Sequence, residues 1–323
     1  MNLRNLAKLA DVSVSTVSKA FSGSNDISNE TRERIFEVAK QYGCYDKYNK
    51  NKFDKKVIAV ICPEVRGDYY NNYLTLLKHE IETNNGVMIV GIYDFSAEKK
   101  NELFSYYSCY CNVDGIIVLG SADKLVNIVN VPAVNIGASS NNRDIITVNV
   151  VMSRAVDAAI KHLKNCGHEK IGYAGEILTS SKLASFKESL RNNGLPVISD
   201  YIKTSDFRFE QAGEDYFNSI LSKDDRPTAV VAAYDNIAIG IIKMAKKHNM
   251  KIPSDLSIIS FDNIGVSSYI DPPLSTISDR ACDVSKKAVE LILRKIDDPL
   301  FHCDAVQIES ELLDRESVFN LHK

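Results

Sequence analysis

The sequence contains no long uninterrupted apolar run. Of its 323 residues, 45% are apolar and 25% are charged, the composition of an ordinary globular protein. A membrane-spanning helix needs roughly 18 or more apolar residues in a row, and no segment reaches that length. The first residues, MNLRNLAKLADVS, lack the apolar region and small-residue cleavage site of a secretory signal. We therefore expect a cytoplasmic protein that does not enter a membrane.

Signatures of catalysis and metal binding are also absent. The sequence has no Walker loop, no G-x-S-x-G elbow and no HExxH motif, and its six histidines show no metal-ligand spacing. The seven cysteines are scattered and include no CxxC pair, which fits reduced thiols better than a zinc site or a disulfide framework. We expect neither an enzyme nor a metal or cofactor site.

Positive charge is concentrated at the front of a chain whose net charge is −3. Residues 1–56 contain 11 lysines and arginines against 7 acidic residues, a net charge of +4, whereas the remainder carries −7. A basic segment attracts polyanions, although a charge block of this size is more often only a solvated face. The asymmetry is compatible with nucleic acid as a partner of the front end.

Three short helices are predicted within the first 45 residues. Apolar residues recur at helical spacing before Asp11, which interrupts them with a turn. Ser13 is placed to cap a second helix that begins at about Val14, and Ser28 is placed to cap a third. The run VSVSTVSKAF alternates as a strand does, but its apolar residues fall on one side of a helix. Two helices joined by a short turn form a helix-turn-helix, whose second helix enters the major groove of DNA.

Beyond residue 57, strand-like runs alternate with helical stretches. Examples are VIAVI, VMIVGIY, KIGYAG and TAVVAA, each followed by a segment of helical spacing. The alternation predicts an α/β fold of mainly parallel sheets with helices on both faces, and its length predicts two lobes. The predicted divisions are a head at 1–45, a linker at 46–56 and a core at 57–323, with one lobe at about 57–165 and 278–303 and the other at about 166–277 and 304–320.

Two stretches of the head, LAKLADVSVSTVSKAF and ISNETRERIFEVAKQYG, are similar to a known family. They resemble the DNA-binding domain of the LacI/GalR family of bacterial repressors. Core motifs resemble the same family, whose core is shared with periplasmic sugar-binding proteins. These motifs are VDGIIVLGS (113–121), HLKNCGHEKIGYAG (162–175), PTAVVAAYDNIAIG (227–240) and IPSDLSIISFDNIGVSSYIDPPLSTI (252–277). The resemblance covers essentially the whole chain and implies a transcriptional repressor of carbohydrate or related metabolic genes.

The resemblance also assigns roles to residues of the head. Val14, Ser15 and Lys19 match the positions that read base edges in the family. The positions that contact phosphates, or lie next to them, are matched by Asn2, Ser13, Thr16, Ser22, Asn25 and Thr31. Small serine and threonine side chains suit a helix that approaches the duplex closely. Asp11 stands where the family usually has glycine, a change that a turn tolerates.

The predicted linker departs from the family pattern. Asp46, Lys50 and Phe53 stand where the family has a proline, an alanine and a leucine that wedges into the minor groove. The segment is rich in lysine and has poor helix character. We predict that Lys50 and Lys52 contact phosphates and that Phe53 is the apolar wedge; a charged flexible tether is the alternative.

The expected effector pocket is the cleft between the two lobes, because ligands of open α/β sheets lie beyond the carboxyl ends of the strands. Aromatic faces with a few polar groups suit a sugar or another small polar metabolite. A core position for Tyr70 or Phe207, and a helix-capping role for Asp235, are alternatives. The candidate effector-binding residues are Tyr69, Tyr70, Lys182, Phe207, Tyr234, Asp235 and Asp262.

Several core positions depart from the family pattern. Apolar Val151 and Met152 replace an Asp-Asn pair, Tyr234 replaces an asparagine, and Gly137 replaces an aspartate. Lys182 replaces the arginine that clamps the effector, so that a planar fork becomes a point charge. These changes make a plain hexose less expected than a phosphorylated or acidic sugar, a more apolar metabolite, or no small effector at all.

Together these features predict a homodimeric repressor on a palindromic DNA operator, since one helix-turn-helix covers one half-site and two-fold symmetry matches a palindrome. A small molecule in the cleft, with a sugar and a sugar phosphate among the candidates, is expected to modulate operator affinity. One alternative is the same regulator controlled by a protein partner or without a small effector. A solute-binding protein is the other alternative, and it would carry an export signal and lack the head.

Overall fold

The chain folds into two units, the head (Met1–Lys55) and the core (Lys56–Lys323). The division falls inside the predicted linker. In the described parts of the chain, no helix is long and apolar enough to cross a membrane. The computed structural model describes residues 1–22, 24, 26–48, 55–122, 125, 131–138, 142, 144–303 and 305–322.

The head contains the predicted helices with the predicted caps. Ser13 Oγ accepts a hydrogen bond from Thr16 N at 3.0 Å, and Ser28 Oγ accepts one from Thr31 N at 3.2 Å. Such bonds satisfy amide groups that a helix start leaves without a partner. Asp11 adopts a positive φ of 51°, the turn conformation in which the family usually places glycine. The helices are α1 (Leu3–Leu9), α2 (Val14–Phe21), α3 (Asn29–Gln41) and α4 (Tyr45–Tyr48).

The head has a hydrophobic core of its own. Helix α4 contributes Tyr45 and Tyr48, whose rings each lie 5.9 Å from the ring of Phe21. Phe21 in turn packs on Phe36 at 5.1 Å. Helix α4 begins at the predicted end of the head, and its two tyrosine rings pack into the head although their neighbours are polar. The fully buried side chains of this core include Leu6, Val17, Ile35 and Ala39.

The first lobe of the core is built on a parallel sheet. Successive residues of its first strand face opposite sides: Ile58 and Val60 belong to one hydrophobic cluster, and Ala59 and Ile61 to the other. Helices α5 (Asp68–Thr83) and α11 (Ala281–Asp297) cover the first face, and α6 (Ala97–Cys109) covers the second. Across the sheet the strands are β11 (Val306–Glu309), β5 (Ile145–Val151), β4 (Ala133–Ile136), β3 (Gly115–Leu119), β1 (Lys56–Cys62) and β2 (Gly86–Ile92).

The second lobe has a similar sheet, in which only one described pair, β10 with β12, is antiparallel. Across this sheet the strands are β12 (Glu311–Leu313), β10 (Ser275–Ser278), β9 (Ser257–Phe261), β8 (Ala229–Ala232), β6 (Ile171–Glu176) and β7 (Ile202–Ser205). Its helices are α7 (Ser153–Asn165), α8 (Ser180–Asn192), α9 (Glu210–Leu221) and α10 (Asp235–Lys247). The predicted fold class, a helical head followed by two mainly parallel sheets with helices, is confirmed.

The lobes divide differently from the prediction. Helix α7 was assigned to the first lobe, at 57–165, but its buried residues lie in the core of the second lobe. Strand β11 was assigned to the second lobe, at 304–320, but it pairs with β5 of the first. The chain crosses between the lobes after β5, after β10 and after β11. Alternation along the chain shows that a helix covers a sheet, but which sheet it covers depends on long-range packing.

Candidate functional site

Helix α2 presents a polar, exposed side that suits a surface for DNA. Val17 and Ala20 are buried in the head, so the helix must turn the opposite side outward. The predicted base readers Val14, Ser15 and Lys19 all lie on this exposed side, and Val14 is 42% exposed. The geometry brings the three residues together, and their base-reading role stays a prediction.

Lys19 forms a salt bridge within the head. Its Nζ lies 2.9 Å from Asp26 Oδ2, and both side chains are exposed. The lysine lowers the pKa of the Asp26 carboxyl through a hydrogen bond and its charge. An exposed ion pair of this kind is weak, so Lys19 readily exchanges Asp26 for another anion, such as a phosphate.

The predicted phosphate contacts lie near the starts and ends of helices. Asn2 Oδ1 accepts a hydrogen bond from Asn5 N, and Ser22 Oγ donates to Lys19 O. Ser13 Oγ lies 2.7 Å from Thr16 Oγ1. Thr31 is partly buried at the start of α3. Four of the predicted DNA contacts lie outside the described residues: Asn25, Lys50, Lys52 and Phe53.

A cleft lies between the two lobes of the core and contains two adjoining cavities. The Arg208 cavity has a volume of about 230 Å³ and is lined from both lobes, by Glu64 and Phe95 on one side and by Glu176 and Arg208 on the other. The Asp279 cavity has a volume of about 320 Å³. The residues that line both cavities are Tyr69, Tyr70, Ser181, Lys182 and Asp262. Four predicted effector residues are therefore at the centre of the cleft.

Lys182 and Asp262 form an ion pair within the cleft. Lys182 Nζ, on α8, donates to Asp262 Oδ1 at 3.0 Å and to Ala233 O at 2.8 Å. The Asp262 side chain is only 10% exposed. Burial raises the pKa of the Asp262 carboxyl, and the lysine opposes this rise. Two of the three donors of the lysine ammonium are thus already used.

Asp279 is a second buried carboxylate in the cleft, and the sequence analysis did not single it out. It is 4% exposed and follows β10, where the chain leaves the second lobe. Tyr73 Oη, on α5, donates to Asp279 Oδ2 at 2.7 Å. Burial raises the pKa of the Asp279 carboxyl, and the charge of Asp262 raises it further. An aspartate directly after a buried strand is the sequence signal that would have identified it.

Arg208 bridges the two lobes. Its Nη1 and Nη2 donate to the two carboxylate oxygens of Glu64 at 2.9 and 2.8 Å, in fork geometry. Its Nε lies 3.4 Å from Oε1 of Glu176, whose side chain is only 2% exposed. The guanidinium also lies over the rings of Phe95 and Phe209, at 5.1 and 4.7 Å from their centroids. One side chain therefore connects both walls of the cleft.

The structure places Phe207 outside the cavities and its neighbours Arg208 and Phe209 inside. Phe207 is 53% exposed, so its prediction as an effector contact is wrong, and so is the alternative of a core position. The turn after β7 places Arg208 and Phe209 inside and Phe207 outside, because Phe209 adopts a positive φ of 56°. Phe209 N donates to Tyr234 Oη at 3.0 Å, and Tyr234 lines the Arg208 cavity as predicted.

Asp235 lies beneath the cleft, fully buried in the second lobe. Its carboxylate accepts hydrogen bonds from Thr276 Oγ1 at 2.8 Å, from Ile264 N at 2.7 Å and from Ser260 Oγ. Burial raises the pKa of Asp235 to about 6. These contacts correct the prediction of an effector contact: Asp235 fixes the turn after β9 that carries Asp262.

One of the departures from the family pattern has a structural reason, and another lies in the cleft. Gly137 has a φ of 148°, and a Cβ built there would lie 2.2 Å from Gly120 O. An aspartate therefore cannot stand at this position with the present backbone. Met152 lines the Asp279 cavity, at the crossing after β5. The apolar character predicted for this part of the cleft is present.

Comparison with known families identifies both units. The model of bacterial regulatory proteins of the lacI family matches residues 2–45, which covers α1 to α3. The model of the periplasmic binding protein-like domain matches residues 160–318, which begins within α7 and covers most of the second lobe.

Relatives match the chain over nearly its whole length. The HTH-type transcriptional repressor CytR of Escherichia coli K12 is 28% identical over 330 residues, which cover 98% of this chain and 95% of the relative. The ribose operon repressor of Haemophilus influenzae is 26% identical over 332 residues, which cover 99% of each chain. These relatives are transcriptional repressors and not enzymes.

Solved structures show the same fold. A lac repressor dimer bound to operator and the anti-inducer ONPF has a TM-score of 0.72 at 19% identity, with 99% of each chain covered. A LacI family transcriptional regulator from Enterococcus faecium with bound ribose has a TM-score of 0.70 at 23% identity, with 82% of this chain and 100% of that one covered. The chain therefore combines a helix-turn-helix head of the lacI family of bacterial regulatory proteins with a periplasmic binding protein-like core, and it is a DNA-binding transcriptional regulator.

Proposed function

We propose that the protein is a homodimeric repressor of carbohydrate or related metabolic genes, and that a small molecule in the interlobe cleft sets its affinity for a palindromic operator. The cleft carries this proposal, because charged and aromatic side chains from both lobes line the same two cavities. A ligand that contacts both lobes favours one arrangement of them over another. Effector occupancy then changes operator affinity if that arrangement binds DNA better or worse.

The DNA-binding part of the proposal rests on the exposed side of α2. One recognition helix covers one half-site, and a two-fold dimer presents two such helices to a palindrome with half-sites about one helical turn apart. Selection of DNA fragments by the purified protein is expected to yield a palindrome. Sedimentation of the protein with the selected fragment is expected to show two chains on each duplex. Selected sequences without two-fold symmetry, or one chain on each duplex, would contradict the dimer.

We expect Lys19→Ala to relax base preference at one position of each half-site. A base-edge contact contributes about 1–3 kcal/mol of discrimination, so the preference at that position should fall by roughly tenfold or more. The measurement is affinity for the selected operator and for single-base variants of it. A phosphate contact, in contrast, would weaken binding to all sequences about equally and reduce the salt dependence.

Lys40→Ala is a matched control for this substitution. Lys40 is an exposed lysine in the last turn of α3, and its removal takes away the same charge. Its variant should keep the ranking of operator sequences. If Lys19→Ala also keeps the ranking, Lys19 is not a base reader.

Thermal melts of the purified protein test the effector part of the proposal. A panel of sugars, nucleosides and sugar phosphates is expected to contain a stabilising ligand, since binding to the folded state alone stabilises by about 2.7 kcal/mol at roughly 100 times the dissociation constant. The same ligand should change operator affinity. A broad panel without any shift in melting temperature would favour control by a protein partner.

A further inference from the structure

The Asp279 cavity has an excess of negative charge. Two carboxylates, the buried Asp279 and the largely buried Asp262, face a single cation among the described lining residues, Lys182. The ammonium of Lys182 is already bonded to Asp262 and to Ala233 O. Asp279 is bonded to the neutral hydroxyl of Tyr73 instead. Among the described residues that line this cavity, one carboxylate charge is therefore not balanced by a cation.

The cations of the neighbouring Arg208 cavity do not provide the missing charge. Arg208 is held by two carboxylates, Glu64 and Glu176. Arg66 lies in the exposed part of the lining, together with Asp68 of opposite charge. A phosphate that enters the cleft would thus meet buried carboxylates whose partners are already engaged, and like charges in a buried site repel strongly.

Aromatic rings surround the same space. Tyr69, Tyr70 and Tyr73 all line the Asp279 cavity. The ring of Tyr69 lies 5.0 Å from that of Tyr70 and 5.3 Å from that of Tyr73, in edge-to-face arrangements. Aromatic faces attract cations and also cover the C–H surface of a sugar ring. Carboxylates combined with aromatic rings are a chemistry that recognises an ammonium group.

We propose that the Asp279 cavity binds the positively charged amino group of a small polyhydroxylated ligand, and that Asp279 makes the amine-bearing form bind better than its neutral or phosphorylated counterpart. The inference rests on the proposed function, because it takes the cleft to be the effector site. It names the chemical class of the effector and departs from the sugar phosphate that the sequence left open.

Ligands that share one sugar ring and differ in a charged substituent test this inference. Calorimetric titration of the full chain would compare glucose, glucosamine and glucose 6-phosphate, and the same three forms of galactose and mannose. We expect the amino form of at least one hexose to bind about tenfold tighter than its neutral form. The phosphate should bind more weakly than the neutral form. Equal affinity of the amino and neutral forms, or tightest binding of a phosphate, would overturn the inference.

Asp279→Asn separates the charge from the shape of the side chain. The amide can still accept the Tyr73 hydrogen bond, so neutral sugars should bind as before while the preference for the amine disappears. Asp283→Asn, on the exposed first turn of α11, is the matched control and should keep the wild-type order of sugar affinities. An amine preference that persists in folded Asp279→Asn would also overturn the inference. If that variant fails to fold, the order of sugar affinities of the wild-type protein alone decides whether the inference holds.

The outcomes distinguish this inference from the proposed function. If neutral or phosphorylated sugars bind and the amino forms bind no better, the role of Asp279 is rejected. The proposed function, with a small effector in the cleft, is then still supported. No binding by any of the nine sugars would reject the inference, while nucleosides and other ligands of the wider panel would still test the effector.

Discussion

Asp235→Ala is expected to destabilise the core by about 2–4 kcal/mol and to abolish the effector response. The substitution leaves three buried donors without their acceptor, Ile264 N and the hydroxyls of Ser260 and Thr276. A buried donor without a partner costs about 1–3 kcal/mol, although water that enters the site recovers part of this. The turn that carries Asp262 would also lose its anchor. Urea denaturation followed by circular dichroism measures the first effect, and ligand titration measures the second.

The exposed Asp224 provides the control for this prediction. Asp224→Ala removes the same carboxylate from the surface of the same lobe, and its effect should lie within about 0.5 kcal/mol. A loss below about 1 kcal/mol for Asp235→Ala, with an unchanged effector response, would show that the hydrogen bonds of Asp235 do not fix the turn.

The difference in stability between wild type and Asp235→Ala should depend on pH, with a defined sign. Burial raises the pKa of Asp235 to about 6, above the ordinary value of 3.8. The folded state therefore binds a proton at Asp235 that the unfolded state does not bind between these two values. Stability contributed by this group increases as the pH falls from about 6 towards 3.8. Wild type should gain stability relative to Asp235→Ala over that window.

Arg208→Ala is expected to weaken the contact between the lobes and to lower stability by about 2 kcal/mol. Removing one partner of a buried ion pair costs about 3–5 kcal/mol. We take a lower value because the Arg208 side chain is 30% exposed. Without the guanidinium, Glu64 and Glu176 face each other across the cleft with unbalanced charge. Hydrogen exchange of the backbone around both carboxylates should become faster, and small-angle scattering of the protein should show a more open core.

A double-mutant cycle isolates the bridge from other effects of Arg208. The cycle combines Arg208→Ala with Glu64→Ala, and groups in direct contact show coupling of about 0.5–3 kcal/mol. The fork geometry favours the upper half of that range. The Asp225–Lys170 pair joins two exposed side chains within the second lobe and serves as a comparison with weak coupling. Coupling below about 0.5 kcal/mol between Arg208 and Glu64 would mean that the lobes are held by other contacts.

Features that depend on neighbouring residues were predictable from the sequence. The caps at Ser13 and Ser28, the turn at Asp11 and the inward residues of α2 are set within a few positions of the chain. The alternation of strands and helices predicted the two-lobed core, and the resemblance added the effector site in the cleft between the lobes. Helix α7 was placed in the wrong lobe because its apolar side chains fit either sheet, and only contacts with distant strands decide between them.

The cleft was predictable to within one or two residues along the chain. Strand ends located Tyr69, Tyr234 and Asp262, since parallel strands place their carboxyl ends at one edge. At the end of β7 the prediction chose Phe207 instead of Arg208, because hydrophobic pattern gives no information on the positive φ that turns the chain there. Ion pairs such as Arg208 with Glu64 join residues far apart in the sequence and leave no local pattern.

The late crossings of the chain determine when each part can fold during synthesis. The head has its own hydrophobic core and can fold while the rest is still being translated. The sheet that begins with β1 receives its edge strand β11 only when residues 306–309 have left the ribosome, and the other sheet receives β12 only shortly afterwards. Until then β5 and β10 are unpaired edges, which are prone to pair with other chains. Both lobes are therefore completed together, once residues 306–313 have been synthesised, and a nascent chain stalled before β11 leaves both sheets open.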